Sequence, residues 1–427
     1  MNHKPSQSTP KPGVKAVLVP KLRFQEFGNG SDWQLRRLGE FLTESRLAGS
    51  KGDVAKKITV KLWGNGVFEK NEAILGSVNT QYFQRKAGQF IYSKLDFLNQ
   101  AFGVIPAHLD NFESTVDLPC FDVSGELNPA FLLEYVSRKE FYEKVGEAAD
   151  GSRKARRIHA ETFLAFSIAL PSSAEQQKVA DCLSSLDELI AAQARKVDAL
   201  KTHKKGLMQQ LFPREGETQP RLRFPKFEAA ADWEVKKLEE LAKRGSGHTP
   251  SKSHSEYYSG GIKWISLADS KRLDAGLISE TKTEISTQGI KKSSAVLHAA
   301  GTVLISRDAG VGKSAVMALP MAVSQHFIVW TCHAQLLSNW FLYYLLQEMK
   351  PIFERIATGS TIKTIGLPFF KDLRIAIPAL PEQQRIADCL TSLDDLLTAA
   401  TQELETLKAH KKGLMQQIFP SAEAVEA

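Results

Sequence analysis

The densest run of cationic side chains outside the long amphipathic stretches of this 427-residue chain is Arg153, Lys154, Arg156 and Arg157, with His159 close behind. Guanidinium groups carry a fixed fork of donors that matches phosphate oxygens and the acceptor edges of bases, while ammonium groups act on phosphate as point charges. Such a cluster on a loop opened by Gly151 suits a polyanion. Gly359, Ser360, Thr361 and Lys363 form a second donor-rich loop at the corresponding place later in the chain. Lys94 in YSK and Arg307 in ISR each follow a short apolar strand, and this matching context points to a shared phosphate or base contact. A solvated loop that touches nothing would have the same composition, so that alternative stays open.

Other segments resemble catalytic motifs and fail them. GVGKS at Gly310–Ser314 has the end of a phosphate-binding loop, but the position that needs the first glycine is Arg307. A tight turn between strands, with Lys313 exposed on it, is the expectation. There is no HExxH, no GxSxG, no DPPY- or NPPY-type segment and no strand followed by a glycine-rich cofactor loop. The ten histidines are scattered; His203 and His410 sit beside paired lysines, as on a solvated helix face. Cys120, Cys182, Cys332 and Cys389 form no CxxC pair and read as buried thiols in a reducing compartment. No catalytic residue, metal ligand or cofactor is expected.

Composition sets the wider frame. A formal charge of +7 and a pI near 9.0 favour a polyanionic partner without identifying one. An apolar share of 43% is ordinary for globular protein, and the length suggests two or three domains. The first twenty residues contain no apolar secretory core, and no run is long enough to span a membrane, so a cytoplasmic location is expected.

The elements that must hold the candidate residues are duplicated. Residues 171–213 and 378–420 align without a gap and are identical at 25 of 43 positions. Upstream, KLRFQEFGNGSDWQLRRLGEF from Lys21 matches RLRFPKFEAAADWEVKKLEEL from Arg221. The regions between these frames, roughly 42–170 and 242–377, show little mutual likeness. Two modules doing one kind of job on different targets would have this form. Each repeat reads as one helix, with Ser173 as N-cap and Gln176 completing a capping box in the first copy, and with Pro381 in the first turn of the second. Apolar residues recur at 3–4 spacing: Val179, Leu183, Leu186, Ile190, Val197, Leu200, Leu207 and Leu211, then Ile386, Leu390, Leu393, Leu397, Ala400, Leu404, Leu407, Leu414 and Ile418. That spacing predicts an intramolecular coiled coil over 174–212 and 381–419. Antiparallel pairing is expected, because it relates two like modules by a pseudo-twofold axis. Lys204 and Lys411 each place one charge on the seam.

The order of RF…DW…L, variable region, IALP or IAIP, and EQQ…KKGLMQQ.FP resembles the specificity subunits of type I restriction–modification systems, from about Lys21 to Pro420. Lys252–Asp269, Leu304–Val316 and Thr358–Pro378 resemble segments of that family's second recognition domain, and Gln89–Pro106 and Asp150–Pro171 resemble the first. The resemblance implies two α/β (α+β) target-recognition domains in tandem, separated by helices that form an antiparallel coiled coil. The divisions become a tail at 1–20, recognition domains at 21–170 and 214–377, helical spacers at 171–213 and 378–420, and a tail at 421–427. It further implies a non-catalytic subunit that binds double-stranded DNA, two methyltransferase subunits and, through them, ATP-driven restriction subunits. Lys263 stands where the family usually has proline, and is accepted as a further DNA contact. A stand-alone DNA methyltransferase or nuclease, and a coiled-coil scaffold without a DNA role, are the competing readings.

Overall fold

The computed structural model describes residues 18–71, 76–148, 156–360 and 362–420. It divides into two packing units, Met1–Ala194 with Glu403–Ala427, and Arg195–Gln402. Both are mixed α/β, rich in short strands. No helix among the described residues is long and apolar enough to cross a membrane.

The repeats form helices Ser173–Leu211 and Leu380–Ile418. The seam residues named above, with Gln193 between Ile190 and Val197 on the first helix, are all buried or half-buried, whereas His203 and His410 are exposed. The first helix starts differently from expectation. Ser172, not Ser173, provides the cap, its Oγ accepting from the Glu175 N–H at 3.4 Å. Gln176 takes no part in a capping box: its side chain accepts from the Asn128 N–H and donates to the Glu126 and Pro171 carbonyls.

Each unit takes a segment from both helices. In the first, Gln193 donates to Glu403 at 2.8 Å, and Lys411 donates to Asp187 at 2.7 Å and to Glu134 at 3.0 Å. Ile418 and Phe419 pack there with Val179 and Leu183. In the second, Lys204 lies 2.5 Å from Asp394, while Met208 and Leu211 pack with Ile386 and Leu390. Rising numbers on one helix thus meet falling numbers on the other, so within each unit the segments run antiparallel. The seam lysines are not isolated charges. Acidic partners supply the hydrogen bonds that a half-buried ammonium requires.

The duplicated frame closes each unit in the same way. Arg23 makes a two-pronged ion pair with Glu175 at 2.8 and 2.7 Å, and Trp33 Nε1 donates to the same carboxylate at 3.2 Å. Arg223, Glu382 and Trp233 repeat the arrangement at 2.9, 2.6 and 3.4 Å. Strand Gln34–Arg37 pairs antiparallel with Ser167–Leu170, and Glu234–Lys237 pairs with Arg374–Ile377 in the same register. These contacts explain why RF…W…L and IALP or IAIP travel with the helix: the arginine and tryptophan fix its first turn, and the strand pair ties down the chain that enters it.

Inside this frame the two units diverge, as their variable sequences do. The first holds a four-stranded antiparallel sheet in the order Leu42–Glu44, Cys120–Val123, Phe90–Tyr92, Phe102–Val104. Its core is aromatic, with Tyr92 and Phe163 in ring contact with each other and with both Phe97 and Phe121. The second has a five-stranded sheet and a separate four-stranded sheet, Thr283–Ile285, Tyr258–Ile265, Met321–Val323, Leu297–His298, in which Tyr258–Ile265 and Met321–Val323 run parallel.

Candidate nucleic-acid interface

Lys94 lies two residues beyond strand Phe90–Tyr92, and its carbonyl accepts from the Ile158 N–H at 3.0 Å. Arg307 directly follows strand Val303–Ser306, and its carbonyl accepts from the Ile365 N–H at 3.0 Å. Ile158 directly follows the first donor-rich loop, and Ile365 stands two residues after Lys363 of the second. The same backbone tether therefore brings a strand-end cation to the base of the loop in both units, although the surrounding sheets differ. Arg156 and Arg157 are exposed, and Arg157 has one exposed carboxylate neighbour, Asp117, at 3.6 Å. Arg153 and Lys154 lie outside the described residues.

The second loop is pinched shut by paired hydrogen bonds between Thr358 and Thr364, at 3.0 and 2.8 Å. This leaves Ser360, Ile362 and Lys363 exposed at its tip, with Gly359 at φ +121°, a conformation that favours glycine. Thr361 lies outside the described residues.

Three of the candidate cations are less free than sequence suggests. Lys263 donates to Glu280 at 2.6 Å and to Glu284 at 2.9 Å. These carboxylates hold its ammonium above the ordinary lysine range. Glu284 is the cross-strand partner of Lys263, a relation visible only once the register is known. Lys313 is half-buried rather than exposed: the turn with Gly310 and Gly312 at positive φ folds it back onto the Ser270 carbonyl at 3.2 Å and Asp274 at 2.8 Å. Arg307 turns its Nε onto the Ile365 carbonyl at 3.1 Å, bracing the second loop.

Sequence reading missed a groove of about 650 Å³ in the second unit. It opens where the parallel strands Tyr258–Ile265 and Met321–Val323 end together, and the Ser324 N–H donates to the Ile265 carbonyl at 2.8 Å. Thr249, Lys252, Lys282, Ser324, Gln325 and His326 are among the polar residues that line it, with Trp264 and Tyr258 in its wall. Clefts at the carboxyl ends of adjacent parallel strands are recurrent ligand sites, since the chain leaves the two strands in different directions there. Next to the groove, Gly247 lets its segment pass close to Val323, since an added Cβ would fall 1.6 Å from the Val323 carbonyl oxygen. The available signal was the polar triplet Ser324–His326 set between two apolar runs.

Residues 230–409 match the family described as the type I restriction modification DNA specificity domain. The chain is 30% identical over 179 residues to the type I restriction enzyme MjaIX specificity subunit of Methanocaldococcus jannaschii, a match covering 42% of this chain and 41% of that protein. Against the MjaVIII specificity subunit of the same organism, identity is 23% over 399 residues, covering 90% of this chain and 91% of that one. The crystal structure of a type I restriction–modification system S subunit from M. genitalium shares the fold, with a TM-score of 0.58 at 14% identity over 95% of this chain and 100% of that chain. The domain match and the near full-length relative both liken this chain to the specificity subunits of type I restriction–modification systems, and the shared fold agrees with that likeness.

Proposed function

We propose that this chain is the DNA-reading subunit of a type I restriction–modification complex. Each unit reads one half of an asymmetric two-part site in double-stranded DNA. The long helices set the spacing and dock two methyltransferase subunits, through which restriction subunits join. The catalysis and its cofactors belong to those partners. The observation that carries this reading is the repeated tether, Ile158 to Lys94 and Ile365 to Arg307, which presents a donor-rich loop at one place in two otherwise unlike units.

The test pairs two measurements. The assembled methyltransferase complex should bind its duplex with an affinity that falls steeply as salt rises, because phosphate contacts release counterions. The pure chain should transfer no methyl group, cut no DNA and hydrolyse no ATP. Turnover by the pure chain that disappeared on a point substitution within it would return the stand-alone enzyme to first place. Salt-independent or absent DNA binding by the complex would favour the scaffold.

A further inference from the structure

We infer that Gln325 is a base-reading residue of the second unit, with its amide set to pair with the major-groove edge of an adenine. This assignment rests on the DNA-reading function proposed above. Gln325 is exposed, at the crossing where the chain leaves strand Met321–Val323 of one sheet for Phe327–Cys332 of another. The Thr249 hydroxyl donates to its Oε1 at 2.6 Å. That bond fixes which way the amide faces. It leaves both Nε2 hydrogens and the second Oε1 lone pair for a ligand. An amide with one donor and one acceptor on offer complements adenine, whose N7 accepts and whose N6 donates.

The groove around Gln325 shows the signs of a built site. Ser324 forms part of it and is only 1% exposed, yet its Oγ has no hydrogen-bond partner. A covered hydroxyl left in that state costs free energy that an incoming polar edge would recover. The ring of His326 is oriented by Asp308 through Nδ1 at 2.8 Å. Lys252 and Lys282 are exposed on the lining, suited to phosphates on either side of a base step. Backbone-positioning cations outside and oriented neutral donors inside is the division of labour expected where a protein reads bases.

The experiment selects from a pool of randomised DNA duplexes with the complete methyltransferase complex, carrying this chain either unchanged or substituted. The unchanged complex should enrich a two-part consensus with a required adenine in the half assigned to the second unit. Gln325→Ala should remove the preference at that one position, weaken binding to the original consensus about 5- to 150-fold, and leave the other half-site intact. Gln325→Glu keeps the shape and turns the donor into an acceptor, so it should shift the preferred base there towards cytosine, whose N4 donates. Lys252→Ala should weaken all sequences alike and lower the salt slope by about one. If the unchanged complex yields a consensus and both Gln325 variants reproduce it with equal affinity, the assignment of Gln325 is wrong while the DNA-reading function stands. A change confined to the half-site governed by residues 42–170 would overturn it equally. If the unchanged complex enriches no consensus, the proposed function itself falls and the assignment falls with it.

Discussion

Glu175 shows how much one side chain does in this fold. Its carboxylate is 1% exposed and accepts from Arg23 and Trp33, so one acid joins the frame segment to the first turn of the helix. Glu175→Ala would leave the Arg23 guanidinium without its counter-charge, held only by the Gly30 and Ser31 carbonyls, and the buried Trp33 indole N–H without its acceptor. We expect a loss of about 3–5 kcal/mol in denaturant unfolding, and a similar loss for Glu382→Ala in the other unit. A cost under about 1 kcal/mol would mean the clamp is dispensable. Cys120 gives a pH-dependent counterpart. It is fully buried, its Sγ donates to Gln89 Oε1 at 3.1 Å, and burial pushes its thiol up to about 12. Below pH ~9 both folded and unfolded chains keep the proton, and the thiol's contribution to stability is complete. Between roughly 9 and 12 only the folded state holds it, so stability should fall with rising pH by about 1.4 kcal/mol per unit. Cys120→Ala should flatten that slope relative to the unchanged chain; equal slopes from pH 9 to 11 would exclude Cys120 as the source. Cys120 could be expected to be buried from sequence, since isolated cysteines behave as small apolar residues. The neutralisation of Lys263 could not, because Glu284 reaches it through strand pairing and Glu280 from the connection that leads into that strand.

At the scale of elements, the helices were the most legible part of the sequence. Their period is set by neighbours three and four residues apart, and an uninterrupted repeat of that kind has few alternatives. The seam therefore emerged at the positions read from spacing, while the partners of its two lysines did not. Lys411 contacts Asp187 on the other helix and Glu134 on a short helix of the first recognition region, and neither contact has a local sequence signal. Burial raises the Glu134 carboxyl even with Lys411 beside it, so the group is costly to bury and depends on that neighbour. Lys411→Met should consequently destabilise the first unit by about 3–5 kcal/mol, by leaving Glu134 buried without its cation. Adding Glu134→Leu should recover most of that loss, since a buried ion pair is often replaceable by apolar side chains. Chemical denaturation of the two single variants and the double variant forms a thermodynamic cycle; additive losses would show that the pair is not coupled. The short strands of the variable regions were less legible. Many have three or four residues, too few for a period to declare itself, and the groove at Ser324–His326 depends on a crossing between two sheets.

For the whole molecule, the decisive fact is that one frame is built twice around unlike contents. The Arg–Glu–Trp clamp, the strand register and the loop tether recur, while the sheets inside them do not. If both units read DNA, unlike contents should read unlike half-sites, and the target should be asymmetric. Helices of 39 residues extend about 58 Å at 1.5 Å per residue, so they can serve as a rigid ruler. Equivalent groove faces recur about every 34 Å along a duplex, so half-site centres about one turn apart are expected. The number of unspecified base pairs between them should then depend on the helices and not on the recognition regions. Replacing residues 42–170 with those of a relative tests both statements together. Methylome sequencing of cells carrying the hybrid and its methyltransferase partners should show one half-site changed, with the other half and the spacer length preserved. The Arg23–Glu175–Trp33 clamp lies wholly outside the exchanged segment, and the incoming segment need only supply a strand in place of Ser167–Leu170 to pair with Gln34–Arg37. A continuous palindrome, a change in both halves, or a spacer that followed the exchanged segment would each contradict a modular reader whose spacing is held by its helices.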